Sequence, residues 1–343
     1  MKKIGVGIVG FGFSSTTFHI PLLKTIEEYD IRAILSSKEE VVKQALPNAE
    51  VVGTIEELVN RADIDLVVIT SPNTTHFPYV KEAIVHGKHV VVEKPFVVSI
   101  EEGEELISLA KQHNVVLSVY HNRRFDNDFL TIKKVLEEKR LGNVYAYEAH
   151  FDRFRPHVRD RWREKNLPGS GILYDLGSHL IDQALSLFGK PDTIHADVIK
   201  QRPGAEIDDY FHVVLHYGVK RVILHSSSYV KQAGPHFTMH GDKGSIVKYG
   251  MDSQEEQLKE GMKPGDNGYG ADSEENFATL ETEEELVRIP TEVGCYEKYY
   301  KGVRDSIVNG EKPPVTAEEG LDVIKVIQLA IESSETGRVI PVK

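Results

Sequence analysis

Apolar residues fall into short runs along the first third of the chain, each followed by a polar stretch of helical period. Ile4 to Val9 is an apolar strand, and the turn Gly10-Phe11-Gly12-Phe13-Ser14-Ser15 follows it. Thr16 to Tyr29 then reads as a helix despite Pro21, and Ile31 to Leu35 as the next strand. The alternation continues with a strand over Glu50 to Gly53, a helix over Thr54 to Arg61 capped by its threonine, and a strand over Leu66 to Thr70. A helix over Phe77 to His86 leads to the strand Val90 to Glu93, whose run of valines is a buried pattern. Ser99 caps a helix to His113, with Glu102 placed for a capping box, and Val115 to Tyr120 is the sixth strand. Strands alternating with helices in this way predict an α/β fold with a doubly wound parallel sheet.

The pattern changes beyond Asn122. A helix over Phe129 to Glu138 and a strand over Val144 to Phe151 come first, then a glycine turn and a helix over Ile172 to Leu187. Strand-like runs at 193–201, 209–216, 221–230, 236–241 and 244–249 are separated by turn residues such as Gly204, Gly218 and Gly234, which predicts an antiparallel meander. Residues 251–276 turn acidic and glycine-rich and read as a surface excursion. Tyr296 to Asn309 and Ala317 to Ser334 close the chain as helices, the second capped by Thr316. Two domains follow, residues 1–122 and 123–343, as a length of 343 residues favours.

Composition narrows the class. Forty per cent hydrophobic and 27 per cent charged residues are ordinary for a globular protein. A net charge of −12 argues against nucleic acid as a partner, since phosphate backbones need clustered cations. One cysteine, Cys295, cannot form an internal disulfide, which suits a reducing compartment. No apolar run reaches a membrane span, and the glycine-broken start is a strand rather than a signal peptide, so a cytoplasmic protein is expected.

The turn after the first strand carries the first chemistry. In Gly-x-Gly-x-x-Gly the first glycine turns the chain, the second admits a pyrophosphate, and the third lets helix and strand pack closely. The register that falls between strand and helix is Gly10, Gly12 and Ser15; a literal match at Gly5, Gly7 and Gly10 lies inside the strand. Following the second strand, where NAD-binding folds place an acid for the ribose 2′-hydroxyl, stand Ser36, Ser37 and Lys38. These suit the 2′-phosphate of NADP, and they also suit a serine turn capping a helix. The fifth strand ends on Glu93-Lys94-Pro95, which places Lys94 where ligands of parallel sheets lie.

Two further groups stand out. Asp175 and His179, four apart on a predicted helix, are neighbours on one face, and Asp182 shares that side roughly. They read as a structural contact, as half of a metal site lacking a recognisable third ligand, or as a general base with an orienting carboxylate. Residues 152–163 are dense in hydrogen-bonding groups and hold the sole tryptophan; they are a solvated loop or a source of substrate contacts, led by Arg153, His157 and Trp162.

In Gly10-Phe11-Gly12, Ser71-Pro72-Asn73-Thr74-Thr75-His76, Glu93-Lys94-Pro95 and Asp175-Leu176-Gly177-Ser178-His179, taken in this order, the chain resembles the glucose–fructose oxidoreductase/inositol dehydrogenase (Gfo/Idh/MocA) family over essentially its whole length. The resemblance implies a Rossmann domain followed by an α+β domain with a large open, mostly antiparallel sheet, whose free face lies over the nicotinamide and often joins subunits. It also implies reversible oxidation of a sugar or polyol hydroxyl, with Lys94, Asp175 and His179 as the catalytic group and no metal. Cofactor contacts fall to Gly10, Phe11, Gly12, Phe13, Ser36, Ser37, Lys38, Ser71, Pro72, Asn73, His76, Glu93, Lys94 and Asn122. Substrate contacts fall to Lys94, Arg153, His157, Trp162 and His179. Ser36-Ser37-Lys38 and His121-Asn122-Arg123-Arg124-Phe125 look most similar to the NADP-dependent scyllo-inositol dehydrogenase branch. A homo-oligomer, dimer or tetramer, is expected, with NADP rather than NAD. The rivals are reduction of another carbonyl, such as a keto sugar or tetrapyrrole, and a nucleotide-sensing regulator without turnover.

Overall fold

The computed structural model describes residues 3–159 and 164–342. Two compact units emerge. The first holds the residues up to Asn122 with Gln254–Tyr269 and Cys295–Leu321; the second holds Arg123–Ser253, Gly270–Gly294 and the chain from Asp322 onward.

In the first unit six parallel strands form one sheet: β1 (Ile4–Val9), β2 (Tyr29–Leu35), β3 (Glu50–Val52), β4 (Leu66–Ile69), β5 (His89–Val92) and β6 (Leu117–Val119). Their order is β3-β2-β1-β4-β5-β6, the doubly wound arrangement with its switch point between β1 and β4. Every residue of β1 and β4 is buried, as expected of strands covered on both faces. The Thr54 and Ser99 caps form as the residues predict; Glu57 also closes a box at Thr54, whereas the box expected at Ser99 does not close, because the Glu102 carboxylate accepts from the Val98 N–H instead.

The helix expected over Thr16 to Tyr29 is shorter. A π-helical turn, Ser15–His19, precedes an α-helix, Ile20–Lys24, and Tyr29 already pairs with Ile4 in the sheet. Pro21 falls in the first turn of that restarted helix, the part of a helix that tolerates proline best. The stretch 251–276 is not merely a surface excursion. Gln254–Lys259 is helical and lies against the Ser15–His19 turn, with Gln254, Leu258 and Tyr269 buried. The Tyr296 N–H donates to the Gln254 side chain at 2.9 Å, so a polar residue fills a core position that hydropathy does not flag.

The second unit is built on nine strands: β7 (Val144–His150), β8 (Thr193–Ile199), β9 (Tyr210–Tyr217), β10 (Lys220–Ser227), β11 (Phe237–Gly241), β12 (Gly244–Lys248), β13 (Ala278–Thr282), β14 (Leu286–Ile289) and β15 (Ile340–Pro341). Their order is β14-β13-β12-β11-β7-β10-β9-β8-β15. The expected meander is therefore split. β7, first in the chain, inserts between β10 and β11, parallel to the former and antiparallel to the latter. Burial alternates along β9 and β10, so one face is covered and the other half exposed. The covered face packs on the segment Leu173–Phe188, where a Cβ on Gly177 would come within 3.4 Å of the Phe211 ring. That segment opens with a π-helical turn, Leu173–Gly177, before the α-helix Ser178–Phe188, a wider start than the regular helix expected. Among the described residues, no helix is long and apolar enough to cross a membrane.

Candidate active site

The glycine turn leaves β1 at the switch point. Gly10 has φ +99° and a Cβ there would sit 3.0 Å from Thr70 Oγ1, so this position needs glycine. Gly12 differs, since a Cβ on it would meet nothing within 4 Å and its backbone faces open space. Ser15 is buried in the third place of the fingerprint; its hydroxyl accepts from the Gly12 N–H at 3.0 Å and donates to the Gly12 carbonyl at 2.9 Å. A turn closed in this way, with open space over Gly12, fits the approach of a dinucleotide pyrophosphate. Phe11 is half exposed and Phe13 exposed, with Lys259 Nζ 5.5 Å over the Phe13 ring. No periodicity in the sequence singles out Lys259.

Glu93 joins this turn to the end of β5. The Ser14 hydroxyl donates to Glu93 Oε1, His19 Nε2 lies 2.9 Å from the same oxygen, and the Lys94 N–H donates to Oε2 at 3.0 Å. A carboxylate only accepts, so His19 donates through Nε2, while the Tyr300 hydroxyl meets Nδ1 at 2.5 Å. Burial works against the Glu93 charge, yet the hydrogen bond and charge of His19, the Ser14 hydroxyl and the Lys94 ammonium outweigh it and hold the carboxyl at about 2. Sequence reading named Glu93 but missed Ser14, His19 and Tyr300, whose polar atoms meet only in the fold. Lys94 is half buried and precedes Pro95 through a cis peptide.

The remaining nominated cofactor residues of this unit lie along the carboxyl edge of the same sheet. Ser36 is half exposed and Ser37 and Lys38 are exposed; the Ser36 hydroxyl accepts from the Lys38 N–H at 3.0 Å. Neither serine caps the following helix, Glu39–Ala45, whose N-cap position is Lys38. Pro72 is exposed, and Ser71 and Asn73 are half exposed beyond β4. His76 is buried instead, with Nδ1 2.8 Å from the Pro95 carbonyl and Nε2 3.0 Å from that of Ser71. Desolvation pushes its pKa down, against the two backbone carbonyls, which accept only from an N–H and favour the protonated ring. Asn122 is buried at the start of a 3₁₀ turn, Asn122–Phe125.

In the second unit Asp175 lies half buried in the π-helical turn and His179 is buried one step into the α-helix. Single π-turns within helices are frequently found at functional sites. Asp182 faces elsewhere: the Arg124 guanidinium grips it bidentately at 2.7 and 2.8 Å. Asp208 accepts the Leu173 N–H at 2.8 Å at the head of the segment, and burial raises its pKa to about 6. Arg153 stacks over the Phe151 ring at 5.1 Å. His157 is exposed, its carbonyl accepting from Arg202 at 3.2 Å. Trp162 lies outside the described residues. Arg202 itself is buried between Glu164 and Asp209, each 2.7 Å away, and its guanidinium also donates to the Arg155 and His157 carbonyls, tying these residues to the chain just before β9. Sequence reading missed this anchor, for its carboxylates flank it at unrelated spacings.

Residues 4–121 match the family model described as an oxidoreductase family NAD-binding Rossmann fold, and residues 133–343 match its C-terminal alpha/beta domain. A Bacillus subtilis (strain 168) relative named scyllo-inositol 2-dehydrogenase (NADP(+)) IolW is 47% identical over 344 residues, covering 99% of this chain and 96% of the relative. The Escherichia coli (strain K12) protein YdgJ, named an uncharacterized oxidoreductase, is 46% identical over 338 residues and 97% of both chains. The solved structure of the putative oxidoreductase yvaA from Bacillus subtilis superposes with a TM-score of 0.97 at 46% identity, covering 100% of this chain and 99% of that one.

Proposed function

The chain belongs to the Gfo/Idh/MocA oxidoreductase family, and on that premise we propose that it is an NADP-dependent dehydrogenase of a cyclic polyol or sugar, with scyllo-inositol the leading substrate. The observation that carries the reading is the Glu93 knot. It ties the glycine turn, through Ser14, to the backbone of Lys94 at the mouth of the sheet. Cofactor loop and lysine are thus held to one sheet edge by one half-buried carboxylate.

NADP, when bound, supplies the hydride acceptor. His179 takes the proton of the substrate hydroxyl as general base. Lys94 donates a hydrogen bond to the same oxygen and steadies the charge that grows on it. Asp175 orients the imidazole and balances its positive form. Ser36, Ser37 and Lys38 receive the 2′-phosphate, where hydroxyl and ammonium donors attract what a carboxylate would repel. Arg153, His157 and Trp162 contribute to the substrate side. The protein is cytoplasmic in this reading, and forms a homo-oligomer through the half-exposed face of the second sheet, which carries Ala146, Val214 and Ile223.

The test is a panel of inositols and aldoses offered with NADP and with NAD, followed by absorbance of the reduced nicotinamide. Turnover of scyllo-inositol with NADP, at least tenfold above NAD, is expected; a tenfold ratio is about 1.4 kcal/mol. Tight NADPH binding with no turnover of any polyol or carbonyl substrate would make the protein a nucleotide sensor instead.

A further inference from the structure

The half-exposed face of the second sheet carries a side-chain cluster for which the reaction above has no use. Parallel pairing of β7 and β10 sets His150 directly beside His225, and antiparallel pairing of β10 and β9 sets His225 beside His212. Asp152, two residues beyond His150, is also half buried, and its carboxylate reaches both of the first two rings. His150 Nδ1 lies 3.4 Å from Asp152 Oδ2, and His225 Nε2 lies 3.5 Å from Asp152 Oδ1. One donor atom from each residue falls within 4.8 Å of the others.

We propose that His150, His225 and Asp152 form a binding site for a divalent transition cation of the zinc class, on the face of the sheet opposite Asp175 and His179. Zinc bonds to imidazole nitrogen and carboxylate oxygen are ~2.0–2.2 Å, so two ligands at a tetrahedral angle stand ~3.3–3.6 Å apart. The two imidazole–carboxylate contacts, one to each oxygen of Asp152, have that separation. Two imidazoles and one carboxylate are a donor set that favours transition ions over calcium or magnesium, which prefer all-oxygen cages. The carboxylate is already positioned, because the Ser227 N–H donates to Asp152 Oδ1 at 2.9 Å. Metal ligands are commonly held by such outer contacts. Glu148, whose Oε2 is 3.7 Å from His150 Nε2, adds negative charge beside the site. Tyr210 lies edge-on to the His225 ring at 5.2 Å, and His212 is 5.7 Å from it. The fourth position is left to water or to His212. An ion there cross-links two neighbouring strands whose ligands lie far apart in the chain.

The catalytic helix packs on the buried face that presents Phe211, whereas His212 and His225 point the other way. Metal binding and turnover are accordingly separate readouts. Full-length protein would be incubated with Zn²⁺, freed of excess by gel filtration and analysed for bound metal; Co²⁺ in place of Zn²⁺ would report ligand geometry through its visible absorption. One tightly held ion per chain is expected. His225→Ala and Asp152→Asn should weaken retention at least tenfold, while His195→Ala, an exposed histidine of β8, should leave it unchanged. His150→Ala, at a more exposed ligand, provides the same loss with less risk to folding, and NADPH fluorescence confirms that each variant is folded. A wild type that retains no more metal than His225→Ala, or an Asp152→Asn protein that binds as well as wild type, would overturn the proposal.

Discussion

The two sheets solve burial differently. In the first unit β1, β4 and β5 are buried along almost their whole length, their side chains read as nearly unbroken apolar runs, and the loops at their carboxyl ends are left for chemistry. In the second, β7, β9 and β10 alternate, so every other residue is available for something besides packing. A doubly covered sheet can hold functional groups only at its rim; a singly covered one can hold them across a face. The Glu93 knot is a rim device, and the His150–His225–Asp152 cluster is a face device.

The rim makes the largest prediction. Lys94→Met should lower turnover by ~10²–10³ and His179→Ala by ~10²–10⁴, with NADPH affinity retained, since the pyrophosphate is assigned to Gly10 and Gly12. Both act on one oxygen, so the double variant should lose far less than the product of the two. Near-normal turnover of Lys94→Met would remove the rim from the mechanism.

Packing separates the sheets directly. Ile8, fully buried in β1, should cost ~2–5 kcal/mol when cut to alanine. Ile223, on the half-exposed face of β10, should cost only about 1 kcal/mol in a monomer. Urea midpoints of the two variants decide this. A large loss at Ile223 that shrinks toward that value on dilution would show the face covered by a second copy.

Acid sharpens the contrast further. The unfolded chain protonates Glu93 near 4.5, the folded one only at about 2. Between those values the unfolded state binds more protons, so the stability Glu93 contributes is complete above about pH 4.5 and lost as pH falls through about 2. The full difference is ~3 kcal/mol. Denaturant midpoints of wild type and Glu93→Gln from pH 6 down to pH 3 should converge as the pH falls, and parallel curves would rule the knot out as the source.

Cofactor choice is the smallest effect. Ser37→Asp places a carboxylate where the 2′-phosphate is expected and should move preference from NADP toward NAD by more than tenfold, about 1.4 kcal/mol. Unchanged kinetics with both cofactors would detach Ser37 from recognition.

The amino-acid sequence by itself determined the βα alternation, the positions of most strands, the caps at Thr54, Ser99 and Thr316, and the turn through Gly10, Gly12 and Ser15. Each is set by neighbours a few residues apart, through turn geometry, side-chain period and local hydrogen bonds. It also marked Lys94, because a strand followed by proline has to end there. Tertiary structure decided what depends on distant partners. β7 could enter the middle of the second sheet only because β10 and β11 left an unpaired edge on either side. Gln254 became a core residue once the Tyr296 N–H needed an acceptor. Glu93 became more than the acid before a lysine when Ser14, His19 and Tyr300 gathered around it. His150 and Asp152 show strand spacing in the sequence, but His225 comes beside them only through strand pairing, and pairing between distant segments is written in no local pattern.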